Sequence, residues 1–297
     1  MKDRDEALAR VRGIFNITVT PFTSDGTVDK AAMRATIGRV LDLGYDGLLI
    51  GGTYGEFATM SAEERADLFR FVADEAGGRV PLLLCTAHSD VRVVNELTRL
   101  ASGLGGLPMV TPPYVSEVED AHIEAFFRHI APASRTGIMI YNAPGIGITL
   151  SPALVERLAE IDGIVALKQG DLAPAVVDRL AATVVGHIRV LAASDLVFPG
   201  TLLAGFDGFS STNSCALPEI ILETYRRLTA GDAAAAGALH RRWYPLRALA
   251  RRFGQPQTTK AAMTARGWIG GHVRPPLMDA TPEQASEIAS VVAGILT

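Results

Sequence analysis

Ile164-Val165-Ala166-Leu167-Lys168-Gln169-Gly170 runs four apolar residues into a lysine and then a glycine. A parallel strand buried on both faces and emerging at the rim of a pocket has this form. The chain contains 28 lysine and arginine residues, of which only Lys2, Lys30, Lys168 and Lys260 are lysines. Where a fixed positive charge is needed, this sequence uses arginine. A lysine in an apolar strand therefore points to what arginine lacks, an amine that can lose its proton. Desolvation disfavours the ammonium, and the neutral amine is a nucleophile able to form a Schiff base with a carbonyl. The competing reading is a side chain that snorkels past the strand end or pairs with an acid such as Asp171.

On either side of this strand, short β-rich runs alternate with helical patterns along most of the chain. Strands are predicted over 14–20, 47–51, 81–86, 107–111 and 137–142, then the lysine strand, then 188–192 and 208–212. Helical patterns lie between them. Ser61-Ala62-Glu63-Glu64 is a capping-box start for one, and Ser151-Pro152 gives another a serine cap with proline in the first turn. Eight strand–helix units at this spacing predict an α/β fold, a (β/α)8 TIM barrel. An open doubly wound sheet fits less well, because no G-x-G-x-x-G follows the first strand. From Leu217 onward the strands stop and only helical patterns follow. The expected organisation is a barrel over residues 1–225 and a C-terminal helical extension over 226–297 packed on it.

Composition narrows the class further. A 297-residue chain that is 48% hydrophobic can bury a large core. Its net charge of −4 offers no basic stripe for nucleic acid or anionic lipid. Apolar runs are broken well before membrane-spanning length, which excludes a transmembrane helix. The opening MKDRDEALAR has no apolar leader segment, and only Cys85 and Cys215 are present, so a reducing, cytoplasmic setting is expected.

Barrel enzymes carry their chemistry at the C-terminal ends of the strands, so the strand ends supply the candidates. These are Gly52, Thr53 and Tyr54 in the turn after the second strand, His88, Tyr114, Tyr141, Lys168, and Ser210 on the eighth. The Gly-rich turn suits a carboxylate cradled by backbone amides and a hydroxyl, although such turns also occur for structural reasons alone. Tyr141 ends the strand next to that of Lys168 and can relay protons there, or pack at the rim. No His/Asp/Glu cluster has metal-ligand spacing, which counts against a metal-dependent aldolase. Neither cysteine has a visible base partner, so a thiol nucleophile is not expected.

Several segments match one family in order and approximate spacing: GIFNITVTPFTSDGTVD at residues 13–29, GGTYGEFATMSAEER at 51–65, TPPY at 111–114, YNAPG at 141–145, Leu167-Lys168, and RPPL at 274–277. They resemble the dihydrodipicolinate synthase/N-acetylneuraminate lyase family of pyruvate-type Schiff-base lyases. The resemblance implies Lys168 as the Schiff-base lysine and Tyr141 as proton relay. It also implies Thr53 as the hydroxyl between Tyr141 and Tyr114, the latter often supplied by a neighbouring subunit. The amides at Thr53 and Tyr54, with Gly52 and Ser210 nearby, would bind a 2-oxo acid such as pyruvate, and an aldehyde would be the second substrate. No cofactor is implied beyond the covalent Schiff base, and the implied assembly is a homotetramer built as a dimer of dimers.

Two departures bear on the substrate. Tyr54 stands where the family usually has a second Thr or Ser. Ile146 stands where the synthase pattern Y-N-x-P-G-R-T has the arginine that meets the second substrate's carboxylate. Losing a hydrogen bond to a charged group removes roughly 1.5–3 kcal/mol. The expected function is therefore a class I lyase acting on pyruvate or a longer 2-oxo acid by aldol cleavage, condensation or dehydration. The alternatives are a true 4-hydroxy-tetrahydrodipicolinate synthase recruiting another cation such as Arg135 or Arg274, a hydratase-aldolase of aryl 2-oxo acids, and a non-catalytic 2-oxo acid binding protein.

Overall fold

The computed structural model describes residues 4–297. Eight strands close a parallel barrel in sequence order: β1 Gly13–Thr18, β2 Gly47–Ile50, β3 Leu82–Cys85, β4 Leu107–Val110, β5 Ile138–Asn142, β6 Ile164–Gln169, β7 Arg189–Ala192 and β8 Gly208–Ser211. The helices are α1 Arg4–Arg10, α2 Lys30–Leu43, α3 Ala62–Ala76, α4 Val91–Gly103, α5 Asp120–Ile130, α6 Pro152–Ala159, α7 Pro174–Thr183, α8 Phe198–Leu203, α9 Pro218–Thr229, α10 Ala233–Phe253, α11 Gln257–Ala265 and α12 Pro282–Leu296. Among the described residues no helix is long and apolar enough to cross a membrane.

The (β/α)8 barrel expected from the alternating pattern is the fold observed, with helices following the eighth strand. Every residue of β6 is buried, as a continuous apolar run in a parallel sheet requires. The predicted capping box is formed in both directions: Ser61 Oγ accepts from Glu64 N at 3.2 Å, and Ser61 N donates to Glu64 Oε2 at 2.9 Å. Ser151 caps α6 through a bond from Leu154 N, with Pro152 in the first turn, where its missing N–H costs nothing. Closure brings β8 close to β1. A Cβ on Gly208 would lie 2.1 Å from the Gly13 carbonyl oxygen, so only glycine fits there.

The differences from expectation are local. The short helix α1 escapes pattern reading because Ala7 is its one buried residue, leaving no periodicity to detect. β1 ends at Thr18, before Thr20 turns its hydroxyl onto the Gly55 carbonyl at 2.8 Å and Pro21 withdraws a donor from the ladder. The glycine-rich turn after β2 is ordered as two 3-10 turns, Thr53–Gly55 and Phe57–Thr59.

Two compact units make up the chain. The first comprises the residues up to Phe15, Asp46–Leu49 and Ser61–Ser210. Within it β5 pairs with β6 so that Tyr141 lies opposite Lys168, and β7 places Leu191 opposite Lys168 on the other side. The second comprises Asn16–Tyr45, Ile50–Met60 and Ser211–Thr297. There α10 packs on α9 and α12, and α11 on α12, with Trp243 of α10 fully buried.

Candidate active site

Lys168 is the fifth of six residues in β6 and is only 3% exposed. Its Nζ lies 4.2 Å from the centroid of the Tyr141 ring on the neighbouring strand. Among the described residues no carboxylate forms an ion pair with it. Asp171, the acid that could have neutralised it, instead accepts a hydrogen bond from Ala173 N at 3.1 Å at the start of α7. Burial brings the Lys168 ammonium from 10.5 down to about 7. That displacement corresponds to about 5 kcal/mol, whereas a desolvated ammonium over an aromatic face recovers on the order of 2 kcal/mol. Desolvation therefore wins, and the unprotonated amine is accessible near neutral pH. The snorkelling and ion-pair readings of this lysine both fail.

Two further groups set the electrostatics. Cys85 ends β3, fully buried, and burial pushes its thiol up against the opposing pull of Arg65. A neutral thiol leaves Lys168 without the anion that would keep it charged. Arg65, on α3, is itself buried and hydrogen-bonds the carbonyls of Ala87, at 2.7 Å, and Cys85. Burial lowers its pKa, while Cys85 and Tyr114 oppose that shift. Burial also raises the Tyr114 phenol, with Arg65 pulling the other way, so Tyr114 remains a protonated donor at neutral pH.

Tyr114 and Tyr141 of the same chain line one small void of about 10 Å³, together with Thr111, Pro112, Ala143, Ile146 and Ile148. Ile146, the residue in the arginine's place, is thus a wall of this void. The loop that carries it is fixed from β5. Asn142 Oδ1 accepts from Leu150 N at 3.0 Å, and its Nδ2 donates to Gln169 Oε1 at 3.0 Å. Gly170 explains its own identity: a Cβ there would meet the Asn142 carbonyl oxygen at 2.6 Å and Pro144 Cδ at 2.7 Å.

The turn with Gly52, Thr53 and Tyr54 lies in the second unit. Gly55 N and Phe57 N both donate to Gly52 O, at 2.9 and 3.4 Å, and Glu56 N donates to Thr53 O at 3.2 Å. Glu56 is held at φ 61°, a left-handed conformation that a non-glycine residue adopts at a cost. Its carboxylate is buried against Lys260 Nζ at 2.5 Å and accepts from Arg274 N at 2.9 Å. Lys260 Nζ also donates to His272 O at 2.6 Å.

The hydrogen bonds of the remaining candidates go to backbone atoms. Ser210 is buried on β8, with its hydroxyl 3.4 Å from Ala192 O. His88 Nδ1 accepts from Asp90 N at 2.9 Å ahead of α4. Arg135 spends its guanidinium on Ser102 O and Gly103 O, and Arg274 on Gly26 O and Thr59 O. Among the described residues no group of three or more His, Cys, Asp or Glu is placed to hold a metal ion.

Three features went unread in the sequence. Arg65 occupies the apolar stripe of α3 with Leu68, Phe69 and Val72, and an arginine at that spacing was the available signal. Lys260 shares with Lys168 the signal of being one of four lysines. Thr111 gave none, since a threonine ending an apolar strand is ordinary.

The structure combines a closed eight-stranded barrel with a lysine at the end of β6 that is buried, lies on a tyrosine ring and has no carboxylate partner among the described residues. Residues 10–294 match the dihydrodipicolinate synthetase family. The 4-hydroxy-tetrahydrodipicolinate synthase of Moorella thermoacetica is 34% identical over 291 residues, covering 94% of this chain and 96% of that one. A second synthase of that name, from Acidothermus cellulolyticus, is also 34% identical over 291 residues, covering 93% and 89%. The crystal structure of YagE from E. coli in complex with pyruvate, a prophage protein belonging to the dihydrodipicolinic acid synthase family, superposes with TM-score 0.90 at 29% identity, covering 96% of this chain and 99% of that one. This chain belongs to the dihydrodipicolinate synthetase family. It is an enzyme, a lyase of the class I lysine Schiff-base type.

Proposed function

We propose that Lys168 is the Schiff-base residue of this lyase and that its substrate is pyruvate or a longer 2-oxo acid. One observation carries the reading: a fully enclosed amine, without a carboxylate partner, whose ammonium is brought down to about 7 beside the Tyr141 ring. The neutral amine attacks the 2-oxo carbon, and the carbinolamine expels its oxygen as water to leave an iminium. Tyr141 carries protons to and from that oxygen, with Tyr114 as the next phenol. The iminium draws electrons from C3, so loss of a C3 proton gives an enamine that adds to an aldehyde carbon, and the reverse sequence cleaves the bond. No further cofactor is required for this sequence, because the iminium itself is the electron sink. The amides at Thr53 and Tyr54 hold the carboxylate, with Gly52 and Ser210 completing the binding residues. The pyruvate bound by YagE supports this choice of substrate class.

The relatives' names favour a second reading, 4-hydroxy-tetrahydrodipicolinate synthesis, for which the family resemblance implies condensation with aspartate semialdehyde. Ile146 in the arginine's place weighs against it, as do the backbone bonds that occupy Arg135 and Arg274. We prefer an aldolase or dehydratase with a different partner, assembled as the homotetramer that the resemblance implies and that sedimentation velocity reads directly. Borohydride added with pyruvate is expected to fix one reduced pyruvyl group per chain, on Lys168. An unchanged intact mass, or an equal gain in Lys168→Ala, overturns the reading. A coupled assay with aspartate semialdehyde decides between the two condensations.

A further inference from the structure

Thr111 follows directly on β4 and is 3% exposed, and its Oγ1 is buried without a hydrogen-bond partner. A hydroxyl in that state is anomalous, because buried polar atoms are almost always satisfied and valine would fill the same space without the penalty. Thr111 lines a void of about 10 Å³, room for a single oxygen-sized group. Both tyrosines border the same void, and the ring of one of them, Tyr141, lies under the Lys168 amine. The other side chains around it are hydrocarbon: Pro112, Ala143, Ile146 and Ile148. Ile146, Ile148 and Tyr114 are half-buried, so they form the side through which a longer group would pass. The buried cation of this region, Arg65, already donates to the carbonyls of Ala87 and Cys85.

We infer that Thr111 is a specificity-determining residue whose hydroxyl hydrogen-bonds the carbonyl oxygen of the second substrate, an aldehyde with an uncharged, apolar tail. The inference rests on the Schiff-base reading and assigns the acceptor of the same site. During condensation the enamine carbon bonds to the aldehyde carbon, and the aldehyde oxygen takes up a proton and becomes a hydroxyl. Thr111 Oγ1 donates to that oxygen before and after bond formation, and so gains the partner it lacks. The tail then runs between the Ile146 and Ile148 side chains and the Tyr114 ring, none of which offers a carboxylate a positive charge. An unsatisfied charge in such a wall is strongly disfavoured.

The test follows pyruvate consumption with butyraldehyde, benzaldehyde and the carboxylated succinic semialdehyde, in wild type, Thr111→Val and Thr111→Ser. Wild type is expected to turn over at least one uncharged aldehyde with kcat/KM ten-fold or more above that for succinic semialdehyde. T111V is expected to trap pyruvate with borohydride to the wild-type extent, while KM for the uncharged aldehyde rises ten-fold or more. T111S should stay within about three-fold of wild type, and the melting temperature of T111V should equal or exceed that of wild type. T111A replaces T111V should the latter misfold. Wild-type kinetics in T111V, no turnover of either uncharged aldehyde, or a preference for succinic semialdehyde overturns the inference. Failure of wild type to trap pyruvate instead overturns the Schiff-base reading on which it stands.

Discussion

Replacing Lys168 with methionine tests the central electrostatic argument without any substrate. Methionine keeps the apolar stem and removes only the ionisable end. In the folded chain the Lys168 ammonium is brought down to about 7 by burial, against 10.5 for a free lysine. The unfolded chain therefore binds more protons than the folded one between those two values, and stability must rise with pH across that window. Below pH 7 the folded state carries the full cost of a buried ammonium, and above 10.5 the cost is gone. The displacement converts to about 5 kcal/mol, reduced to roughly 3–5 kcal/mol after relaxation and water penetration. Lys168→Met is thus expected to be more stable than wild type by that amount at pH 6, by about half as much near pH 8.5, and by almost nothing at pH 10.5. Urea unfolding of both proteins at the three pH values measures it, with the slopes checked for equality. A gain independent of pH, or a loss of stability at pH 6, would refute the idea that the amine is held unpaired and desolvated.

Glu56→Gln removes one member of a buried ion pair and leaves Lys260 charged against a neutral amide, at an expected cost of about 3–5 kcal/mol in urea unfolding; the double variant with Lys260→Met should recover most of it. The same single substitution loosens the anchor of the turn bearing Thr53 and Tyr54, so KM for pyruvate should rise more than kcat falls. Ile146→Arg restores the missing cation at the wall of the void. Carboxylated aldehydes should then improve by about 1.5–3 kcal/mol in kcat/KM, roughly ten- to a hundred-fold, relative to uncharged ones. No relative gain would mean that the second substrate does not pass Ile146.

The site separates what composition could reveal from what only contacts reveal. Scarcity of lysine singled out Lys168 in the sequence, yet Lys260 is equally scarce and equally buried. What distinguishes them is the partner: Lys260 meets Glu56, 204 residues away in the chain, and Lys168 meets an aromatic ring. A strand pattern can predict that a side chain is enclosed, because enclosure follows from the apolar neighbours on its own strand. It cannot predict which distant group lies across from it. Ile146 illustrates the same limit, since its identity was readable but its place beside Thr111 and both tyrosines was not.

Strand–helix alternation, the capping serines and the glycine-rich turn are local matters of backbone preference and hydrophobic period, so the eight-stranded barrel and the order of its strand ends followed from the sequence alone. The unpartnered Thr111 hydroxyl, the commitment of Arg135 and Arg274 to backbone carbonyls, and the contrast between two buried lysines were decided only by tertiary structure. Each depends on contacts between residues far apart in sequence, and solvation and pairing are fixed only when those residues meet.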